Sequence, residues 1–469
     1  MKTNFKNIMN NKYVFSASLL EECEYSNRNY PLLNDCLSKK LSYSDNGTDV
    51  GSINYMSKSK YFMIKTKALN RNSFLLNFNS ETCQFINPKS FINISLKKGD
   101  IIISKDSNVG DSIILDKDYD TAMLSSGLYK LPITENKLYI LSYLKQASFF
   151  NQLSKKVPKG ATIKHGKTLF LDCKIPFTSD KKLLNDIEIY TKQIIDNEIK
   201  IKEKENIIFS LIEKELNYDE NNIEYILNNK TNYKDILSFL RLDSGIYSAH
   251  FKYMTNLIKE YKFGYKNLLD DLKYNSTRGQ NLQVSAIGIS QYSDVPKKGF
   301  YKLITSSDLN DNGTYGQYRY IGNKNNLLTI KNKTIMFSAT GQASTSVGKI
   351  CVFINPEKNI ISNINSFFFT NDNESNENVN FCGMFLHFLQ HKGYYIDLVG
   401  KGNGGSFTEK HFNFLNIPNF PDSLKNEISK LYNDFEDEND PGIFQLSEEN
   451  KILKKSITKI FDLITKKDD

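Results

Sequence analysis

The chain has 469 residues, 39% hydrophobic and 12% aromatic, with a formal net charge of +8. That composition is globular and long enough for two or three domains with cores of their own. Six cysteines without a Cys-x-x-Cys spacing and five scattered histidines exclude zinc-ribbon and zinc-finger sites, so reduced cytosolic thiols are expected.

Residues 1–29 read as a helical or irregular lead-in; Lys2 and Lys6 precede no apolar segment, so no secretory signal is expected. Residues 30–177 mix short strands and turns. Tyr61 to Leu69, Ser73 to Phe78 and Ile101 to Ser104 have the β-branched and aromatic enrichment of strands, with Gly99-Asp100 turning the chain before the third. Leu138 to Leu153 keeps helical spacing, Lys159-Gly160 ends it, and Pro176 closes the lobe.

Residues 180–216 carry the clearest helical pattern. Ile187, Ile194, Ile201 and Ile208 recur every seventh residue, with Glu and Lys between them, as in a coiled-coil seam. Such a helix is roughly 50 Å long and needs a partner for its stripe. Leu446, Leu453 and Ile460 supply a second heptad pattern, so the two arms are expected to pair. Residues 217–260 add helical material around Ile223, Ile226, Leu227, Ile236, Leu237 and Leu240. Asn371 to Asn378 reads as a mobile polar loop, and Asp434 to Gly442 must break the last arm. The longest apolar stretch, near Ile360 to Thr370, is interrupted by Asn363, Asn365 and Ser366, so no membrane span is expected and the protein is placed in the cytoplasm.

Short motifs recur in the same order about 240 residues apart. Phe15-Ser16-Ala17 returns as Tyr247-Ser248-Ala249, and Leu32-Leu33-Asn34-Asp35 as Leu268-Leu269-Asp270-Asp271. Leu69-Asn70-Arg71-Asn72 returns as Leu309-Asn310-Asp311-Asn312, and Ile101 to Ser104 as Ile335 to Ser338. Thr162 to His165 returns as Thr408 to His411, and Ile175-Pro176 as Ile417-Pro418. A duplicated unit doing one job at two places is expected. The fold class is α/β (α+β), divided into a first lobe 1–177, a spacer helix 178–217, a connector 218–264, a second lobe 265–420 and a broken arm 421–469. The net charges are +10 for residues 1–177 and +4 for 218–420, against −2 for 178–217 and −4 for 421–469. Basic lobes on acidic helices fit a polyanion bound through the lobes.

Enzymatic motifs fail. Asp308 to Gly313 begins like a calcium loop, but the twelfth position is Arg319 rather than a bidentate Glu, and an Asn-Gly turn fits better. Gly400 to Ser406 lacks the Gly-Lys-Ser/Thr end of a phosphate-binding loop. There is no Pro-Pro pair, hence no Asp/Asn/Ser-Pro-Pro-Tyr/Phe tetrapeptide of an amino-methyltransferase, and no hydrolase or kinase set. No catalytic or metal-ligating residue and no cofactor of the chain's own is expected.

Lys159, Thr162, Lys164 and His165, and in the second copy Ser406, Thr408, Lys410 and His411, are phosphate-contact residue types after a glycine turn. A turn in which Thr caps the next element and His packs beneath it fits them equally. Asn70, Arg71 and Asn72, and Gln317 and Arg319, are types that pair bidentately with adenine or guanine edges, though a surface Asn or Arg is commonly just solvated. Lys105 and Ser344 complete the candidate DNA-binding set.

The chain resembles specificity subunits of type I restriction–modification systems along nearly its whole length. The resemblance rests on the order of lobes and helices and on three signatures: Lys98-Gly99-Asp100 to Ser104, Tyr143-Leu144-Lys145 to Phe149-Phe150 followed by Lys159 to Thr162, and Ile175-Pro176. It departs where Ile175 to Ser179 replaces a Pro-Pro-Leu-x-x-Gln segment, and where Pro441 falls in the second arm. The resemblance implies two target-recognition domains on antiparallel helices, each reading half of a bipartite double-stranded DNA site. It also implies two docked adenine methyltransferase subunits bearing S-adenosylmethionine, and leaves room for a restriction and translocation subunit. A stand-alone DNA-binding scaffold or anti-restriction decoy, and a divergent methyltransferase or nuclease, remain as alternatives.

Overall fold

A computed structural model of the chain describes residues 25, 28–79, 82–157, 165–222, 236–237, 244–316, 318–340, 346–399, 405–434, 437 and 439–467. The fold mixes helices and strands and divides into two compact units, residues 1–199 with 450–469, and residues 200–449.

The first unit holds β1 (Phe62–Ile64), β2 (Cys83–Phe85), β3 (Ile101–Ser104), β4 (Ser112–Ile114), β5 (Ala122–Leu124) and β6 (Leu128–Leu131). They form two three-stranded sheets, β2-β1-β5 and β4-β3-β6. Strand β1 is antiparallel to β2 and parallel to β5. Strand β3 is antiparallel to both its neighbours. Its side chains alternate as a strand requires: Ile101 and Ile103 join one core, and Ile102 joins another with Phe62, Ile64 and Leu69. The chain entering this lobe meets the chain leaving it, because Leu33 N–H donates to Cys173 O at 2.8 Å and Ile175 N–H to Pro31 O at 2.9 Å.

The second unit holds β7 (Tyr265–Asn267), β8 (Asn275–Arg278), β9 (Gln291–Ser293), β10 (Tyr301–Leu303), β11 (Arg319–Gly322), β12 (Thr334–Ser338), β13 (Ile350–Phe353), β14 (Ile360–Ile361), β15 (Ser366–Thr370) and β16 (Asn416–Pro418). Its sheets run β14-β10-β11-β9 and β13-β12-β15-β8, with β7 and β16 pairing at the ends of the lobe. Again the middle strand divides its side chains: Ile335 and Phe337 enter one core and Met336 another. Strand β10 is antiparallel to β11 and parallel to β14, as β1 is to β2 and β5.

The helix Lys181–Leu216 buries Ile187, Ile194, Ile201 and Ile208 at 5% exposure or less. In the first unit Ile187 and Ile194 share a core with Leu453, Ile457, Phe461 and Ile464 of the helix Ile443–Lys467, and Asn197 Nδ2 donates to Asn450 Oδ1 at 3.0 Å. In the second unit Ile201, Ile208 and Ile212 share a core with Ile443 and Leu446. Each fully buried isoleucine contributes about 1.5–3 kcal/mol of transfer free energy.

Several elements differ from their sequence patterns. The segment Leu138 to Leu153 forms two helices, Lys137–Leu144 and Ala147–Lys156, parted where Gln146 takes an extended backbone, with φ −77° and ψ 149°. Ser73 to Phe78 makes no ladder, since the N–H groups of Phe74 and Leu75 donate to the Glu198 carboxylate instead. Only Phe62–Ile64 of the run Tyr61 to Leu69 is a strand; Thr66–Ala68 turns. The polar segment from Asn371 is tied down: Asn371 is buried and donates to Leu272 O, and Ser375 caps the helix Asn376–His391. The break in the last arm falls between the helices Asp422–Tyr432 and Ile443–Lys467. Phe15 to Ala17, Ile223, Ile226, Leu227 and Leu240 lie outside the described residues.

Candidate nucleic-acid interface

The end of the middle strand organises the polar turns of each unit. In the first, Ser104 N–H donates to Asp111 O (2.8 Å), Gly110 N–H to Ser104 O (2.8 Å), Lys105 N–H to Gly127 O (2.9 Å) and Gly166 N–H to Lys105 O (2.7 Å). In the second, Ser338 N–H donates to Lys349 O (2.8 Å), Gly348 N–H to Ser338 O (2.9 Å), Ala339 N–H to Asn365 O (2.8 Å) and Phe407 N–H to Ala339 O (2.7 Å). The serine hydroxyls match as well, Ser104 Oγ donating to Asp106 O and Ser338 Oγ to Thr340 O. Gly110 and Gly348 both take positive φ, +92° and +84°, and sit against Leu153 with Phe149 and against Tyr395.

This frame sets His165 opposite Asp106 and Ser406 opposite Thr340. It therefore aligns His165 with Ser406, although the motif match aligns His165 with His411. It likewise aligns Leu33, rather than Leu32, with Leu268, because Leu33 N–H donates to Cys173 O and Leu268 N–H to Leu415 O. Backbone pairing fixes these correspondences more tightly than side-chain identity does.

Asn70, Arg71 and Asn72 form an exposed turn after the buried Leu69. Asn70 Oδ1 accepts the N–H of Asn72 at 2.8 Å, so this amide shapes the turn. The Arg71 guanidinium lies 3.8 Å above the Phe150 ring, a cation–π contact. Lys105 Nζ lies 4.9 Å from the Tyr129 ring centre. The exposed His165 ring places Nδ1 2.8 Å from Asp106 Oδ1. In the second unit Arg319 stands exposed on β11, 3.5 Å from Asp294. Ser406 and Lys410 are exposed. Thr408 and His411 are committed to their turn: Thr408 N–H donates to His411 Nδ1 at 2.9 Å, and the buried His411 ring packs on Phe407. Lys159, Thr162, Lys164, Gln317 and Ser344 lie outside the described residues.

Arg278, one of the chain's five arginines but not in the candidate set, has its guanidinium 4.3 Å from the Phe367 ring centre while Nη1 donates to Ile364 O. Sequence patterning assigned no role to Lys145, Glu198 and Lys454 either. Lys145 Nζ donates to Asn70 O (2.9 Å), Ser73 O (2.6 Å) and Ser112 O. Burial pushes its ammonium down, to about 7, against the raising influence of Asp111 and Glu198. Glu198 Oε2 accepts from Ser73 Oγ (2.9 Å), Phe74 N–H (2.8 Å) and Leu75 N–H (3.2 Å). Lys454 Nζ donates to Asn72 O at 2.6 Å. Lys145 was legible as part of a helix end; no local pattern brings Glu198 or Lys454 to Ser73.

Exposed amide and guanidinium groups on rigid turns can hydrogen-bond base edges, and lysines beside them can contact phosphates. Among the described residues no three His, Cys, Asp or Glu gather as a metal site, and no helix is long and apolar enough to cross a membrane.

No family model matches the chain, and no curated protein matches it. Among solved structures, it is similar to the S subunit of a type I restriction–modification system from M. genitalium, with 13% identity, 94% of this chain and 97% of that chain covered, and a TM-score of 0.33. It is similar to a chain from a structure concerned with complex assembly and conformational transition of the type I R-M system, at 10% identity, 93% and 97% coverage and a TM-score of 0.29. It is similar also to the HsdS subunit from Thermoanaerobacter tengcongensis, at 9% identity, 94% and 97% coverage and a TM-score of 0.25.

Proposed function

We propose that the chain is a non-catalytic DNA-specificity subunit of a type I restriction–modification system. Residues 1–177 and 265–420 act as two target-recognition domains, each reading half of a bipartite double-stranded site. The helix 178–217 and the arm 421–469 pair as the spacer, with 218–264 connecting. The observation that carries this reading is the recurrence of one hydrogen-bond frame at Ser104–Gly110 and Ser338–Gly348, each beside exposed polar turns. One frame used twice favours two like ligands, and a net +10 and +4 on the two segments favours a polyanion. Arg71 and Arg319 are the leading base readers, Lys105, His165, Ser406 and Lys410 the leading phosphate contacts.

In this reading the methyl transfer belongs to adenine methyltransferase subunits docked on the helices, which bring S-adenosylmethionine, and a restriction subunit can join them. Long-read mapping of modified adenines, with and without this chain, tests it. Loss of methylation at one gapped sequence on deletion is the expected result; an unchanged methylome overturns it. Equal affinity for random and selected DNA would favour a scaffold or decoy, and turnover by the isolated chain would favour an enzyme.

A further inference from the structure

We propose that Glu198, Lys145 and Lys454 are positioning residues that hold the Asn70–Asn72 turn in a DNA-ready shape. The inference deepens the functional reading and rests on it.

A polar turn at the surface is ordinarily among the looser parts of a fold. Here the backbone of the turn is gripped from both flanks. Lys145 Nζ takes the carbonyls of Asn70 and Ser73, Lys454 Nζ takes that of Asn72, and Glu198 Oε2 takes the Phe74 and Leu75 N–H groups with the Ser73 hydroxyl. Glu198 Oε1 lies 3.5 Å from Lys454 Nζ, which links the two grips. The carboxylate occupies a nest of backbone donors, the kind of site that otherwise binds an anion. The Glu198 carboxylate makes its hydrogen bonds stronger than a neutral acceptor would.

The three anchors come from separate places: Lys145 follows the helix Lys137–Leu144, Glu198 sits on Lys181–Leu216 and Lys454 on Ile443–Lys467. The side chains of Asn70, Arg71 and Asn72 stay exposed while their main chain is fixed. Arg71 gains a further support from the Phe150 face. An ordered turn of this kind spends little entropy on binding, and a small displacement of its tip spoils bidentate pairing with a base.

The test uses the full chain and duplexes selected by the wild-type chain from a random-sequence pool, with each half-site scrambled in turn. Glu198→Ala and, separately, Lys454→Met should lose tenfold or more of the discrimination in one half-site. Discrimination in the other half, and affinity for wholly scrambled DNA, should stay within twofold of wild type. Glu198→Gln, whose amide oxygen still accepts, should recover most of the loss. Amide hydrogen exchange at Phe74 and Leu75 should accelerate in Glu198→Ala and not in Lys454→Met, which keeps the readout useful if one variant folds poorly. Wild-type preference with both variants unaltered, or equal losses in both halves, overturns the inference alone. A wild-type chain with no preference overturns the functional reading, and the inference with it.

Discussion

Asp311 and Lys349 form an ion pair at 2.5 Å; the backbone frame aligns Lys349 with Asp111 of the first unit and the motif match aligns Asp311 with Arg71, so the same two positions carry opposite charges there. There the Arg71 charge acts on Asp111, whose carboxyl is raised by burial and drawn back by Asn108, Lys145 and Arg71. Opposite signs at both positions keep an attraction while inverting the charge each turn offers a ligand. Asp311→Arg alone should place two cations together and cost about 0.2–1 kcal/mol, and adding Lys349→Asp should recover it. Chemical denaturation of the single and double variants reads the coupling.

In the proposed DNA-binding reading, base readers and phosphate contacts separate by their salt dependence. Arg71→Ala should remove about 1–3 kcal/mol of discrimination at one position of the site, with little change in the salt slope. Lys105→Ala and Lys410→Ala should weaken binding across sequences and lower the slope of log affinity against log salt by roughly 1 each. Fluorescence anisotropy titrations at several salt concentrations distinguish the two patterns.

The glycines of the frame differ in how much room they leave. A Cβ at Gly348 would fall 2.1 Å from Tyr395 Cδ2, and one at Gly110 would fall 2.5 Å from Leu153 Cδ2, both at positive φ. At Gly99, φ is +83° but nothing lies within 4 Å. Gly99→Ala should cost only the backbone strain, about 1 kcal/mol, whereas Gly348→Ala and Gly110→Ala should cost more, on the order of 2–3 kcal/mol. Unfolding midpoints give the order directly.

Asn197 and Asn450 place a buried, hydrogen-bonded amide pair between the two helices. Asn197→Leu removes the donor to Asn450 Oδ1 and should destabilise by about 1–3 kcal/mol. Changing both to Leu should restore or raise stability but loosen the register of the two helices, which a single buried Asn pair specifies. Disulfide trapping between cysteines introduced along the two helices would detect the slippage.

Lys145 gives the fold a pH dependence of definite sign. Its folded pKa, pushed down to about 7, lies below the ordinary lysine value of about 10.4. Between those values the unfolded chain holds the proton that the folded one has released, so stability rises with pH across that window. Asp111 and Glu198 oppose the depression, and Lys454 and Arg71 add to it. Lys145→Met should flatten the rise between pH 7 and 10, as measured by thermal midpoints against pH.

Much of this architecture is legible in the chain because it is periodic. The heptad isoleucines of the helix Lys181–Leu216 are all at 5% exposure or less, and the alternation in Ile101–Ser104 is what splits two cores. Where the sequence misleads, a long-range partner has overridden local preference. Ser73 to Phe78 has strand composition but gives the N–H groups of Phe74 and Leu75 to Glu198, more than a hundred residues away. Thr408 and His411 look like phosphate contacts, yet each finds its hydrogen bond in the other. No local pattern could locate Lys454 beside Asn72, because that contact exists only once the last helix has packed.

Each lobe begins and ends at one seam: Pro31 and Leu33 pair with Cys173 and Ile175, and β7 pairs with β16. A module stitched at its two ends fixes where its chain enters and leaves, and only the segments that meet the helices, such as Asn72 to Leu75, are held from outside. The loops between can lengthen or shorten while the stitch, and the helix that follows it, keep their course.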